Sequence, residues 1–344
     1  MQSILSLMKL DMLDIVLHIY NNKGKNMQLS NKIKTRFSKD FKMPFQVVQE
    51  PIFSYYIDTL DAHFDTKNKL EMLYEVIETL GGEEEFFKES NRVKDTLIQD
   101  IQKSSAYERL NNDKLDDYNT VNQIKQQDIY HLGNADKTFI SIDLKHANFN
   151  VFKMYDNELT LGYDDYESLI GHVSNFEYFK KSKYLRQVIF GNMLPKKQQR
   201  LQKWAIDQVI SVLHHDIGIP LNSFVSASAD EVVFLIENDK ALSMVDLVNK
   251  KLGNNTLTEK MSDWCRVEAF ILRSIENKKF FVKEKLDDSN IEFKGIPSYF
   301  FMQAYKKYTN QEILETDKVF YFDGMLATFN KCVFDSDFEI NLDE

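Results

Sequence analysis

Apolar positions along this chain change their spacing part-way, and each spacing predicts a different architecture. In roughly the first hundred residues, apolar side chains recur at three- and four-residue intervals. Leu70, Leu73, Val76, Ile77 and Leu80 form one stripe, stopped by Gly81-Gly82, and Val93, Leu97, Ile98 and Ile101 form a second. Such spacing gathers side chains on one helix face, so the region reads as amphipathic helices. The first twenty residues are rich in Leu, Ile and Met but interrupted by Lys9, Asp11 and Asp14. They read as another amphipathic helix rather than a signal peptide or membrane span. Residues 103–136 are polar and without sustained periodicity, as a connector is.

From Thr138 the pattern shortens. Thr138–Asp143 (TFISID) is a β-branched apolar run, the mark of a buried strand. Tyr166, Leu169, Ile170 and Val173 then mark a helix, and Leu201, Ala205, Val209, Val212 and Leu213 mark another, broken by Gly218 and Pro220. Residues 223–236 (SFVSASADEVVFLI) predict two strands joined by a tight turn. A helix over 239–252 follows, then a strand over Val267–Ile275, and Asn277-Lys278 turns it into another over Lys279–Lys283. The order strand, helix, helix, strand, strand, helix, strand predicts an α+β unit of ferredoxin-like layout, an antiparallel sheet with helices on one face. The expected division is a helical N-terminal domain over 1–136, the sheet domain over 137–287, and an appended region over 288–344 packed on the sheet domain. That last region has a helix near 297–308, a strand at Phe320–Phe322 and a turn at Asp323-Gly324.

Composition narrows the class. The 344 residues are 43% apolar and 13% aromatic with 5 Pro and 11 Gly, which predicts ordered globular units and little flexible linker. Cys265 and Cys332 are the only cysteines and have no His at metal-ligand spacing. A disulfide framework or zinc finger is not expected, and a reducing, cytoplasmic setting is, with no membrane association. Usage rich in Lys, Asn, Ile and Phe fits an AT-rich genome, such as a viral one. There is no Walker loop, dinucleotide fingerprint or nucleophile elbow. Oligomeric state is not readable.

The net charge is −10, so any polyanion must be held by a local patch. One exists. Between Tyr178 and Ile206 stand eight basic residues and no acidic one: Lys180, Lys181, Lys183, Arg186, Lys196, Lys197, Arg200 and Lys203. Lys196, Lys197 and Arg200 open a predicted helix, whose free N–H groups also favour phosphate. Arg186 and Arg200 are the preferred individual contacts. The same run is equally read as a solvated helix face, and the interleaved Tyr178, Phe179 and Tyr184 as core rather than stacking platforms.

The acidic positions carry the sharper signal. Asp143 closes the first predicted strand, Asp230-Glu231 sit at the hairpin turn, and the layout above sets the two at one sheet edge. Two like charges about 4 Å apart repel by roughly 4 kcal/mol at an effective dielectric of 20. A divalent cation reverses that sign, and hard oxygen ligands select Mg²⁺ or Mn²⁺. The Leu144 carbonyl is a natural additional ligand. Lys145 and Asn148 follow directly as candidate nucleotide or phosphate contacts, with His146 and Asn150 beside them. His214-His215-Asp216 point in different directions on a helix and do not share an ion.

Asp143-Leu-Lys-His-Ala-Asn-Phe, followed much later by Ala229-Asp230-Glu231-Val-Val-Phe, resembles the palm domain of diguanylate cyclases, tRNA-histidine guanylyltransferases and CRISPR polymerase-cyclases. The resemblance covers about residues 137–285, with Ala229 where the group has Gly or Ser. It implies that Asp143 and Asp230 bind two metal ions, with Glu231 as the second turn acid. The expected function is metal-dependent transfer from a nucleoside triphosphate to an RNA or DNA end. The alternatives are synthesis of a cyclic nucleotide or oligonucleotide, and a catalytically silent palm that binds nucleic acid through the stripe at 180–203.

Overall fold

The computed structural model describes residues 28–344 except 123, 255–262, 288–290, 323, 337 and 339–344. The helix expected in the first twenty residues lies outside the described residues. The chain opens with α1 (Asn31–Asp40), α2 (Ile52–Phe64), α3 (Thr66–Leu80) and α4 (Glu83–Gln102). Ser30 caps α1 by accepting from the Ile33 N–H at 3.3 Å. Gly81 ends α3 with a left-handed φ of 87°, as its lack of a Cβ allows. The apolar stripes are buried: Leu73, Val76 and Ile77 on α3, and Val93, Leu97 and Ile101 on α4. The polar connector holds one further helix, α5 (Ser105–Asn112), which lacks a long enough stripe to be read from sequence.

The sheet-bearing segment keeps the expected strand order but carries five α-helices, not two, between its first and second strands. Strand β1 (Thr138–Leu144) leads into α6 (Ala147–Tyr155), α7 (Tyr166–Val173), α8 (Glu177–Lys181), α9 (Lys183–Phe190) and α10 (Pro195–Ser211), which runs on into a π-helical turn at Val212–Asp216. Then come β2 (Phe224–Ala227), β3 (Glu231–Ile236), α11 (Ala241–Asn254), β4 (Cys265–Ser274), β5 (Phe281–Lys285) and β6 (Ile291–Lys294). The strands form one six-stranded sheet in the order β2-β3-β1-β4-β5-β6, with every neighbouring pair antiparallel. The chain is thus α+β.

Period-two alternation explains how β1 serves two cores. Ile140, Ile142 and Leu144 face one side and pack with Ala205 and Val209 of α10 and Val248 and Leu252 of α11. Phe139 faces the other and packs with Val233, Phe270, Leu272, Phe281 and Ile129. Burial on both faces makes TFISIDL read as a continuous apolar run.

The C-terminal part holds α12 (Phe301–Tyr308) and a hairpin of β7 (Val319–Phe322) and β8 (Met325–Thr328). Its grouping departs from the sequence expectation. One compact unit joins the described residues up to Phe87 with those from Ile296 onward, and the other runs from Lys88 to Gly295. Residues 88–136 therefore belong with the sheet, and the C-terminal region belongs with the N-terminal helices. Aromatic packing gives the reason: Phe301 meets Phe64 edge-on at 5.9 Å, and the His63 ring lies 2.8 Å from the Tyr305 hydroxyl. Tyr55 also donates to Asp317 Oδ1 at 2.9 Å. Periodicity within a segment carries no information on which distant segment it packs against. Cys265 and Cys332 are both free thiols. Among the described residues no helix is long and apolar enough to cross a membrane.

Candidate functional site

Two backbone contacts build the site at the end of β1. The Leu144 N–H donates to the Asp230 carbonyl at 2.8 Å, and the Lys145 N–H to the Trp264 carbonyl at 2.7 Å. The chain then reverses at His146, whose left-handed φ of 46° lets α6 start at once. On the neighbouring turn, Ser228 Oγ accepts from the Asp230 and Glu231 N–H groups at 3.3 and 3.0 Å and donates to Asp230 Oδ1 at 3.0 Å. This hydroxyl-centred turn holds the Asp230 carboxylate in place.

The result is a cleft of about 350 Å³. Asp143, Asp230 and Leu144 line one part of it, Lys145, His146 and Asn148 come from the turn after β1, and Lys183, Arg186 and Gln187 come from α9. Arg266 of β4 completes it. Six residues read from the sequence as site residues, Asp143, Leu144, Lys145, Asn148, Arg186 and Asp230, therefore share one cavity.

Charge is unevenly balanced there. Burial pushes the Asp143 carboxyl up to about 6, against the opposing pull of Arg266 and with the help of the Glu231 and Asp230 carboxylates. Arg266 Nη2 lies 3.1 Å from Asp143 Oδ2, and its Nε lies 3.4 Å from Glu268 Oε1. Burial, and then the Arg186 cation, hold the His146 imidazole down at about 4, so it is neutral near pH 7. Arg186 is itself held below its ordinary range by burial and stays charged. Its guanidinium sits 5.4 Å from the Tyr166 ring, and among the described residues it makes no ion pair with a carboxylate. A half-buried guanidinium with no carboxylate in ion-pair contact is a candidate anion contact.

The remaining expected residues go elsewhere. Glu231 stands opposite Asp143 in the β1–β3 ladder, yet its Oε1 pairs with Lys283 Nζ at 3.2 Å. It lines a separate cavity with Gln126, Tyr130 and Ser226. Lys283 is buried, with its ammonium 4.6 Å from the Phe270 ring centre. Among the described residues no three Asp, Glu, His or Cys side chains close into a metal-holding group. The oxygen donors there that could hold a metal are the Asp143 and Asp230 carboxylates and the Leu144 carbonyl, donor chemistry of the kind Mg²⁺ or Mn²⁺ takes. Asn148 Oδ1 accepts from Gln202 Nε2 at 2.6 Å.

The basic stripe divides. Lys180 pairs with Glu177 at 2.6 Å, Lys183 and Arg186 reach the cleft, and Lys196 is exposed on α10 outside it. Lys197 and Arg200 are not free for phosphate. Lys197 Nζ donates to the carbonyls of Leu110, Asn111 and Asp113, capping the end of α5, with the Asn111 bond at 2.8 Å. Arg200 donates to the Lys114 carbonyl at 2.9 Å and to Asn119 Oδ1 at 2.8 Å. Lys197→Met is therefore expected to lower stability by about 1–3 kcal/mol in urea melts. Its affinity for a nucleoside triphosphate, titrated in parallel, should stay within twofold of wild type; a larger loss would return Lys197 to the site.

Arg266 was missed by sequence reading. Its only signal is position: it faces Asp143 across β1–β4, a pairing that register alone reveals. No protein-family model matches the chain, and no curated protein or solved structure matches it.

Proposed function

We propose that this protein is a metal-dependent nucleotidyltransferase that uses a nucleoside triphosphate and extends a nucleic-acid end. The observation that carries the reading is one cleft holding Asp143 and Asp230 together with Lys145, Lys183 and Arg186, which makes no ion pair among the described residues. A triphosphate bearing a divalent ion matches that division of charge. The strand order β2-β3-β1-β4, with helices between β1 and β2 and between β3 and β4, supports the ferredoxin-like palm implied by the sequence resemblance.

In this mechanism a 3′ hydroxyl attacks the α-phosphorus and pyrophosphate leaves. Asp143, Asp230 and the Leu144 carbonyl would hold Mg²⁺ or Mn²⁺, which would supply positive charge at the phosphates when bound. Arg186 binds phosphate oxygens as a forked donor, and Lys183 and Lys145 add point charges. His146, neutral above about pH 4, can accept a hydrogen bond from the attacking hydroxyl. Arg266 balances Asp143 before the ion binds and can then turn to Glu268, which already lies within 3.4 Å of its Nε.

A second reading, a palm that binds nucleic acid without turnover, draws on the Arg266 and Lys283 cations that already neutralise Asp143 and Glu231. α-Labelled nucleoside triphosphates with Mg²⁺ or Mn²⁺ separate the two. They are offered to wild type and Asp230→Asn with no primer, with single-stranded RNA or DNA, and with tRNA. Label transferred by wild type only supports the enzyme; a cyclised product would replace end extension by cyclic-nucleotide synthesis. Two inert proteins that still bind oligonucleotides would establish the silent palm.

A further inference from the structure

The turn that carries Asp230 has a second side. Ser228 and Ala229 line a separate cavity of about 320 Å³, while Asp230, the next residue, lines the cleft. The turn is thus a thin wall between two cavities. This second cavity is at the small end of the roughly 300–1,000 Å³ typical of ligand sites. Its base is apolar: Ile206 and Ile210, one turn apart on α10 and almost fully buried, with Ile124 against the same core. Its rim is polar, with exposed Gln126, Gln199 and Lys203.

The outer wall is held rigidly. Buried Asp207 accepts from the Val121 and Asn122 N–H groups at 2.9 and 2.8 Å, and the Asn122 amide donates to the Asp207 carbonyl at 3.3 Å and to Ser211 Oγ at 3.0 Å. These bonds tie Val121 and Asn122 to α10. Gln126, Gln199 and Lys203 take no part in that bonding.

We infer that this cavity is an acceptor subsite, holding the terminal nucleobase of a single strand whose 3′ hydroxyl is presented across the Ser228–Asp230 turn to the cleft. The inference rests on the nucleotidyl-transfer reading and adds to it the place of the second substrate. A nucleobase has flat apolar faces and an edge of alternating donors and acceptors. Isoleucine side chains match the faces, and glutamine amides, which carry both a donor and an acceptor, match the edge. Lys203 meets the backbone phosphate. The adjacency to Asp230 argues for an acceptor rather than an unrelated ligand, because the acceptor must reach the reacting centre where the triphosphate lies.

The test is binding by the full chain, without turnover. A fluorescent RNA tetranucleotide, a nucleoside monophosphate and a nucleoside triphosphate are titrated against wild type, the exposed-rim double variant Gln126→Ala/Gln199→Ala, and Arg186→Ala. The double variant should weaken tetranucleotide binding about tenfold and leave the triphosphate unchanged, and Arg186→Ala should do the reverse. Tetranucleotide loss without monophosphate loss identifies a chain end as the occupant; equal loss of both identifies any nucleotide with a free 3′ hydroxyl. Unchanged tetranucleotide affinity in the double variant overturns the subsite. If triphosphate binding still depends on Arg186 in that case, the nucleotidyl-transfer reading survives. If wild type binds none of the three, both fall.

Discussion

Asp143→Asn is expected to reduce metal-dependent nucleotide transfer by about 10³-fold or more, on the order of 4 kcal/mol of transition-state stabilisation. Asparagine keeps the shape of the side chain and removes its charge, so the cleft loses half of its carboxylate ligands while the β1 ladder is untouched. The same variant carries an independent signature in stability. The Asp143 carboxyl is pushed up to about 6, above its ordinary value. It therefore keeps its proton in the folded chain after the unfolded chain has released it. That preference favours folding below about pH 4 and is lost as pH rises to about 6, so wild type should lose stability across this window. Asp143→Asn should lack that decline. Wild-type turnover, which needs the ionised carboxylate, should rise across the same window. Single-turnover rates and thermal melts between pH 4 and 8 check both. A variant that transfers nucleotide within threefold of wild type would remove Asp143 from the chemistry.

Phe139→Ala carries the largest expected stability cost, about 3–5 kcal/mol. Phe139 is fully buried in the strand hydrogen-bonded on both sides, to β3 and to β4, and its ring stacks on Phe270 at 5.6 Å. A cavity there cannot close by moving β1, because such a shift would break two ladders at once. Neighbouring Phe281 and Leu272 are themselves fixed in strands. The transition of the unit from Lys88 to Gly295 should fall by roughly 10 °C. Leu235→Ala is the control, since Leu235 faces Phe139 across the ladder but is 42% exposed, and it should cost less than about 1 kcal/mol. Calorimetry compares the two. Equal effects would mean that β1 is not the rigid centre of the sheet.

Helix order at the site was only partly readable from the sequence. Residues Ala147–Tyr155 (ANFNVFKMY) form α6 although Asn, Val, Phe and Tyr are weak helix formers and no polar residue caps the start. Burial of Phe149, Val151 and Phe152 outweighs propensity there. Helix α9, which brings Arg186 to the cleft, spans only Lys183–Phe190, and its buried stripe of Leu185, Ile189 and Phe190 is too short to stand out as periodicity.

What the sequence determined by itself was local. A continuous β-branched apolar run located Asp143, turn chemistry located Asp230, and helical periodicity ordered the elements around them, because each depends on neighbours a few residues away. What the tertiary structure decided was pairing at long range. Register set Arg266 against Asp143, and Glu231 turned to Lys283. Packing sent Lys197 and Arg200 to the carbonyls of the 110–119 segment and left Arg186 in the cleft. A run of like charges is one feature in sequence, but a helix points successive side chains about 100° apart, so its members face different neighbours once the chain is folded.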